Sequence, residues 1–173
     1  MKSIYFYKHL VTPQVFFQSK YTYALVNLRP LVPGHVLLVP LRTSAYRLAD
    51  LTPEESADYM LSLQLIHRFI MHAYKADSLN ILIQDGPESG QSVPHLHTHI
   101  IPRYRNDMED AQFYQGLEKW DAETDFNRRK LAFHNGSSFS VNEDKREPRS
   151  MEVMEKEAEW LSEELTRFKD KIV

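Results

Sequence analysis

The chain of 173 residues contains no cysteine. Disulfides, thiolate nucleophiles and cysteine-rich zinc sites are therefore excluded. Positive charge is not in surplus either, because 21 Lys and Arg against 24 Asp and Glu leave a net charge of −3. That balance excludes a nucleic-acid binder held by bulk charge, while leaving room for a small local anion site. No apolar run approaches the roughly 18 residues a membrane span needs. The opening "MKSIYFYKHLVTPQVFF" lacks the long apolar stretch and small-residue cleavage site of a secretory leader. The expectation is an intracellular protein, cytoplasmic or nuclear, with neither membrane nor nucleic acid as partner. The 42% of hydrophobic residues suffices for one packed core in a chain of this length.

The first 50 residues read as strands. Val15-Phe16-Phe17, Tyr21–Val26 and His35–Val39 are rich in β-branched and aromatic side chains, and Pro33-Gly34 marks a turn between the last two. A helix follows, with Thr52 as N-cap, Pro53 in its first position and Glu55 completing a capping box. Tyr59, Leu63, Ile66, Ile70 and Ala73 recur on one face of it, whereas His67 and His72 fall off that stripe and read as surface or boundary residues. "LNILIQ" (79–84) is a short strand that ends at the turn signal "DGPESG". The spacing also predicts a short helix around 108–119. The stretch 121–150, with His134 in it, turns polar and patternless and reads as a loop. The tail forms a helix with Met154, Ala158, Leu161, Leu165, Phe168 and Ile172 on one stripe, acidic early and lysine-rich late. Strands, one mid-chain helix, more strands and a terminal helix indicate an α+β fold. The expected organisation is one domain over 1–120, a polar loop over 121–150 and a helix over 151–173 packed on that domain.

Three of the eight histidines stand at alternate positions in "PHLHTHIIP" (94–102). On a strand, His95, His97 and His99 share one face, about 7 Å apart, while Leu96, Thr98 and Ile100 take the other. Pro94 and Pro102 lack backbone donors, which predicts a ladder confined between them, with the histidines lining a surface cleft. Three readings remain open. Simple packing beneath a loop is disfavoured, because three adjacent imidazoles are costly to desolvate without partners. A zinc site is chemically feasible, yet no carboxylate or cysteine stands at an obvious ligand spacing.

The third reading is nucleophilic chemistry on phosphorus. "DGPESGQSV" can turn backbone N–H groups toward an anion, with Gln91 and Ser92 adding side-chain donors. Gly34 and His35 supply a close approach and a fourth imidazole. Neutral imidazole is nucleophilic near pH 7 without a separate base, and its phosphorus adduct hydrolyses readily. Flanked by an imidazole on each side, His97 is the best-placed attacker, with its other ring nitrogen held by a backbone carbonyl.

"QSVPHLHTHI" resembles the signature of the histidine triad superfamily. Together with "HLVTPQVFF", "YALVNLRPLVPGHVLLVPLR", "DLTPEE" and "QDGPESGQSV", it resembles the fragile-histidine-triad branch, the dinucleoside polyphosphate hydrolases, over most of residues 1–120. The resemblance implies a HIT-like fold, an antiparallel sheet of about five strands carrying the two helices. It implies cleavage of a diadenosine triphosphate-like substrate to a nucleoside monophosphate and a diphosphate through a nucleotidyl-histidine intermediate on His97. His99 would contact the phosphate and the scissile oxygen, and His95 and His35 would support the cluster. Gln84 would orient the phosphate, and Asn27 would hold the ribose. The loop Gly90, Gln91, Ser92 and Val93 would bind phosphate, and His9 would complete the site. Phe6, Val11 and Leu25 would wall the base. The family also implies a homodimer joined into one extended sheet, and magnesium or manganese bound with the substrate rather than held tightly by the protein.

Two features depart from the pattern: Pro94 before the first triad histidine, and the length of the 121–150 insert. Tyr114 falls where the branch has a stretch near the substrate mouth, although a plain surface tyrosine is the simpler reading. Two other functions compete. The phosphoramidase branch shares the triad but ends soon after it, unlike this chain. A nucleotide-binding signalling protein, whose substrate complex is the output, would need the same pocket.

Overall fold

The computed structural model describes residues 3–105, 107 and 148–172. The expected helix around 108–119, Tyr114, His134 and the loop as far as residue 147 lie outside the described residues. Strands β1 (Tyr5–Phe6) and β2 (His9–Leu10) form a small hairpin. Strands β3 (Val15–Gln18), β4 (Thr22–Val26), β5 (Val36–Pro40), β6 (Ser78–Ile83) and β7 (Thr98–Arg103) form one sheet in the order β3-β4-β5-β7-β6. Every pairing is antiparallel. Helix α1 (Pro53–Tyr74) lies between β5 and β6 in sequence, and α2 (Met151–Ile172) ends the chain. This is the α+β architecture read from the element order.

Both helices pack on one sheet face. Phe69, Ile66, Ile70 and Tyr59 of α1 join Met154, Ala158, Leu161, Leu165 and Phe168 of α2 over Val26, Leu38 and Ile100. Each fully buried side chain of this size contributes about 2 kcal/mol of burial energy. Helix α1 begins as its sequence dictates. The Thr52 side chain accepts from the Glu55 N–H, and the Glu55 carboxylate accepts from the Thr52 N–H. His67 and His72 are half-buried, and His72 packs against Phe168 with ring centroids 5.2 Å apart. On the opposite face, Ile4, Val11, Tyr23, Leu25, Leu37 and Val39 form a second cluster. Strands β4 and β5 are buried on both faces, so they read as continuous apolar runs rather than alternating ones.

The histidine segment differs from its expected form. Only His99 lies in a strand, because β7 starts at Thr98. Residues before it bond to the loop ahead of α1 instead of to the ladder, with the Leu96 N–H on the Ala45 carbonyl at 2.8 Å. Nor does Pro102 end the ladder, which runs on to Arg103. The reason is register: β5 pairs with β7 only at Thr98, His99 and Ile100. By Pro102 the strand has a single neighbour among the described strands, so a donor missing on the other side breaks none of their ladder bonds.

Candidate active site

The geometry begins at the end of the sheet, in a row of cross-strand partners. Leu25 stands opposite Leu37, and Leu37 opposite His99, so His99 rises from the same face as the second apolar cluster. His35 immediately precedes β5 and reaches that face from the loop joining β4 to β5. Its ring lies 5.2 Å from that of His99, which in turn lies 5.1 Å from that of His97. Phe6 of the hairpin closes the other side, 5.3 Å from His97 and 5.6 Å from His95. His35, His99 and His97 thus sit in one row, and Phe6 joins His95 to its end. They are more enclosed than a surface cleft, since His35, His95 and His97 are buried and His99 is half-buried.

Backbone groups dictate which ring nitrogen carries each proton. The His95 carbonyl can only accept, so His97 donates Nδ1–H to it at 2.8 Å and keeps the lone pair on Nε2. The Tyr7 N–H donates to His95 Nδ1 at 3.0 Å, while His95 Nε2–H donates to the Pro40 carbonyl at 2.9 Å. The Leu31 N–H donates to His35 Nδ1 at 3.1 Å, which puts the His35 proton on Nε2. That Nε2–H donates to His99 Nδ1 at 2.9 Å, leaving His99 with its own Nε2–H. The row therefore sets the nucleophilic lone pair of His97 beside His99, whose Nδ1 is the accepting nitrogen.

Burial keeps His95 and His97 neutral. It pushes His95 down to about 4, outweighing the Pro40 bond that acts the other way. His97 is lowered by the same cause, against the smaller opposing effect of its bond to the His95 carbonyl. A neutral His97 is a nucleophile at pH 7 without prior deprotonation. The lone pairs on His35, His95 and His99 that a metal would need are already taken by N–H donors. Among the described residues, no group of three or more His, Asp or Glu is arranged to hold a metal ion.

Asn27 directly follows β4, with its amide nitrogen 3.1 Å from His35 Nε2 and its Oδ1 accepting from the Arg29 N–H. Gln84 directly follows β6 and is half-buried. Val11 and Leu25 are buried in the second cluster, and Phe6 packs on it. His9 is exposed on β2, opposite Phe6.

In the loop before the triad, several donors bond within the loop and to its neighbours. The Gln91 side chain is buried and braces the loop: its Oε1 accepts from the Gly86 N–H and one Nε2–H donates to the Tyr46 carbonyl, both at 2.8 Å. The N–H groups of Gly90 and Gln91 also turn inward, to the Pro87 and Gly86 carbonyls. Gly90 takes a φ of +87°, which a side chain would resist. The donors left to an anion are then Ser92 and Val93, whose N–H groups make no such bond among the described residues.

Sequence reasoning did not find the groups that orient the imidazoles. Tyr7, Leu31 and Pro40 act through backbone atoms, which leave no mark on side-chain identity. Tyr59 belongs to the apolar stripe of α1, yet its hydroxyl, 2.8 Å from both the Leu38 carbonyl and Thr98 Oγ1, ties α1 to the residue between His97 and His99. Arg149 fell in a stretch read as loop, yet it bonds the Asn27 carbonyl.

Three comparisons complete the description. The family model described as HIT domain matches residues 10–106. The bis(5'-adenosyl)-triphosphatase of Saccharomyces cerevisiae is 50% identical over 193 aligned positions, covering 96% of this chain and 94% of that one. The asymmetrical bis(5'-nucleosyl)-tetraphosphatase of Schizosaccharomyces pombe is 40% identical, covering 92% and 93%. Among solved structures, the diadenosine triphosphate hydrolase of Plasmodium falciparum in complex with cyclomarin A superposes with a TM-score of 0.68 at 27% identity, over 96% of this chain and 86% of that one.

Proposed function

The chain belongs to the HIT-domain family, and from that membership we propose that it is a dinucleoside triphosphate hydrolase of the bis(5'-adenosyl)-triphosphatase type. It cleaves diadenosine triphosphate to AMP and ADP. Triphosphate rather than tetraphosphate is favoured by the higher identity to the triphosphatase. The observation that carries the mechanism is the fixed tautomer of His97, whose Nδ1–H is held by the His95 carbonyl.

His97 Nε2 attacks the α-phosphorus, forming a P–N bond as the bond to the bridging oxygen breaks and the nucleoside diphosphate leaves. That leaving group is acidic enough at neutral pH to need little proton donation, so positioning and charge stabilisation supply most of the rate. His99 Nε2–H donates to the phosphoryl or bridging oxygen. Its orientation comes from the relay Leu31 N–H to His35, then His35 to His99. Water then attacks phosphorus, the P–N bond breaks, AMP departs and His97 regains its lone pair. Ser92 and Val93 N–H groups, with Gln84, hold the phosphate; Asn27 holds the ribose; Phe6, Val11 and Leu25 wall the base, with His9 at the rim. A divalent cation, magnesium or manganese, would neutralise the polyphosphate. The lone-pair accounting above supports its arriving with the substrate rather than resident on the histidines.

The functional unit is a homodimer. Strand β6 pairs only with β7 among the described residues and carries Ile81 on its surface, so a second copy can extend the sheet across that edge. No helix among the described residues is long and apolar enough to cross a membrane. An intracellular location remains the reading.

The test is His97→Asn. Hydrolysis of diadenosine triphosphate should fall by about a thousandfold or more while binding changes little, because only the attacking lone pair is lost. Rapid quenching of wild type with labelled substrate should recover a nucleotidyl adduct on His97. Turnover by the variant near the wild-type rate would remove His97 from the mechanism.

A further inference from the structure

The connection from Asn27 to His35 carries a candidate site residue at each end and lies beyond the last ladder pair, Val26 opposite Val36. No ladder bond of the described strands therefore holds it, yet two of its backbone carbonyls are taken by a residue far away in sequence. Arg149 places Nη2 at 2.5 Å and Nε at 3.1 Å from the Asn27 carbonyl. Its own N–H donates to the Leu28 carbonyl at 3.0 Å. The guanidinium is completed by Glu157, with Nη1 to Oε2 at 2.5 Å and both side chains mostly enclosed. The other Glu157 oxygen accepts from the Tyr74 hydroxyl at 2.9 Å. The Tyr74 ring, braced edge-on by Trp160, lies so close to Gly34 that a Cβ there would stand 2.7 Å from ring carbons. Gly34 also holds a φ of +82° and sits one residue before His35.

We propose that Arg149, Glu157 and Tyr74 form a clamp that grips both ends of this connection and sets Asn27 and His35 for substrate, which makes them positioning residues of the reaction. The proposal rests on the hydrolase reading above. Two observations separate it from ordinary helix docking. The apolar stripe of α2 already docks the helix without it, through Met154, Ala158, Leu161, Leu165 and Phe168. The fork, moreover, lands on the peptide that aims the Asn27 side chain, not on an arbitrary carbonyl. A slack connection would also withdraw the Leu31 N–H from His35 Nδ1. The proton of His35 would then be free to move to Nδ1, and His99 would lose its forced donor geometry.

The experiment compares wild type with Arg149→Met, Arg149→Lys, Glu157→Gln and Arg103→Met. The last breaks an enclosed ion pair with Asp107 beyond the end of β7, serving as a control for loss of stability. In Arg149→Met, KM for diadenosine triphosphate should rise about tenfold with a smaller fall in kcat, since misplaced binding groups cost affinity first. The ring 15N signals of His35 should pass from one tautomer to an average of two. Arg149→Lys should recover part of the effect, as one compact cation cannot reproduce a two-point fork. Glu157→Gln, the milder change, should move KM in the same direction and serves if Arg149→Met does not fold. Arg103→Met should lower Tm without moving KM or the His35 signals. The clamp is overturned if the Arg149 and Glu157 variants keep wild-type KM and His35 signals, or if Arg103→Met shifts both as much. Should wild type fail to hydrolyse the dinucleotide, the hydrolase reading falls, while the His35 signals still decide the clamp.

Discussion

Acid should unfold this protein through its histidines before its carboxylates. His95 is driven down to about 4 by burial, from an ordinary value near 6.5. Between those values the unfolded chain takes up a proton at this position and the folded chain does not. Unfolding therefore binds protons, and stability must rise with pH across that window. It is complete above about 6.5 and is lost as pH falls toward 4. From pH 6.5 to 5, before most carboxylates titrate, the loss from His95 alone is about 1.6 kcal/mol, because the slope reaches its full 1.36 kcal/mol per pH unit only once the unfolded imidazole is mostly protonated. His97 is lowered by burial too and adds in the same direction. With a urea m-value of roughly 2 kcal/mol/M, the midpoint should drop by about 1 M over this interval. Urea titrations at pH 6.5, 6.0, 5.5 and 5.0 measure it, with His95→Asn as the non-titrating comparison. The variant should show a clearly shallower slope. A wild-type midpoint that stays flat, or an equal slope in the variant, would refute the link between burial and protonation. The same protonation would displace the Tyr7 N–H and release the hairpin that places Phe6 against His95 and His97.

Three other outcomes are expected. Tyr59→Phe removes a buried hydroxyl from the Leu38 carbonyl and Thr98, at a cost of about 1–3 kcal/mol; an unchanged Tm in calorimetry would count against that bond. Elemental analysis of the purified protein should find no stoichiometric zinc, and chelators should slow turnover only in a way that magnesium or manganese restores; one tightly held zinc per chain would revive the metal reading. Light scattering should give twice the chain mass of 20.4 kDa, with Ile81→Lys on the β6 edge shifting it toward monomer; a wild-type monomer would remove the dimer.

What could be read from the chain alone was whatever depends on near neighbours. The Thr52–Glu55 cap, the stripe of α2 and the apolar runs of β4 and β5 follow from periodicity and short-range hydrogen bonding, and the structure contains them. The chemistry was legible for the same reason, because three imidazoles within five residues announce themselves by type. The state of those imidazoles was not. His35 reaches His99 across 64 positions, Tyr7 reaches His95 across 88, and Arg149 reaches Asn27 across 122. A proton's place on a ring depends on which backbone group faces which nitrogen, and only the folded chain brings those groups together. Tertiary structure therefore decided which backbone groups fix the protons of His35, His95 and His97, where β7 begins and which N–H groups of the phosphate loop bond within the protein.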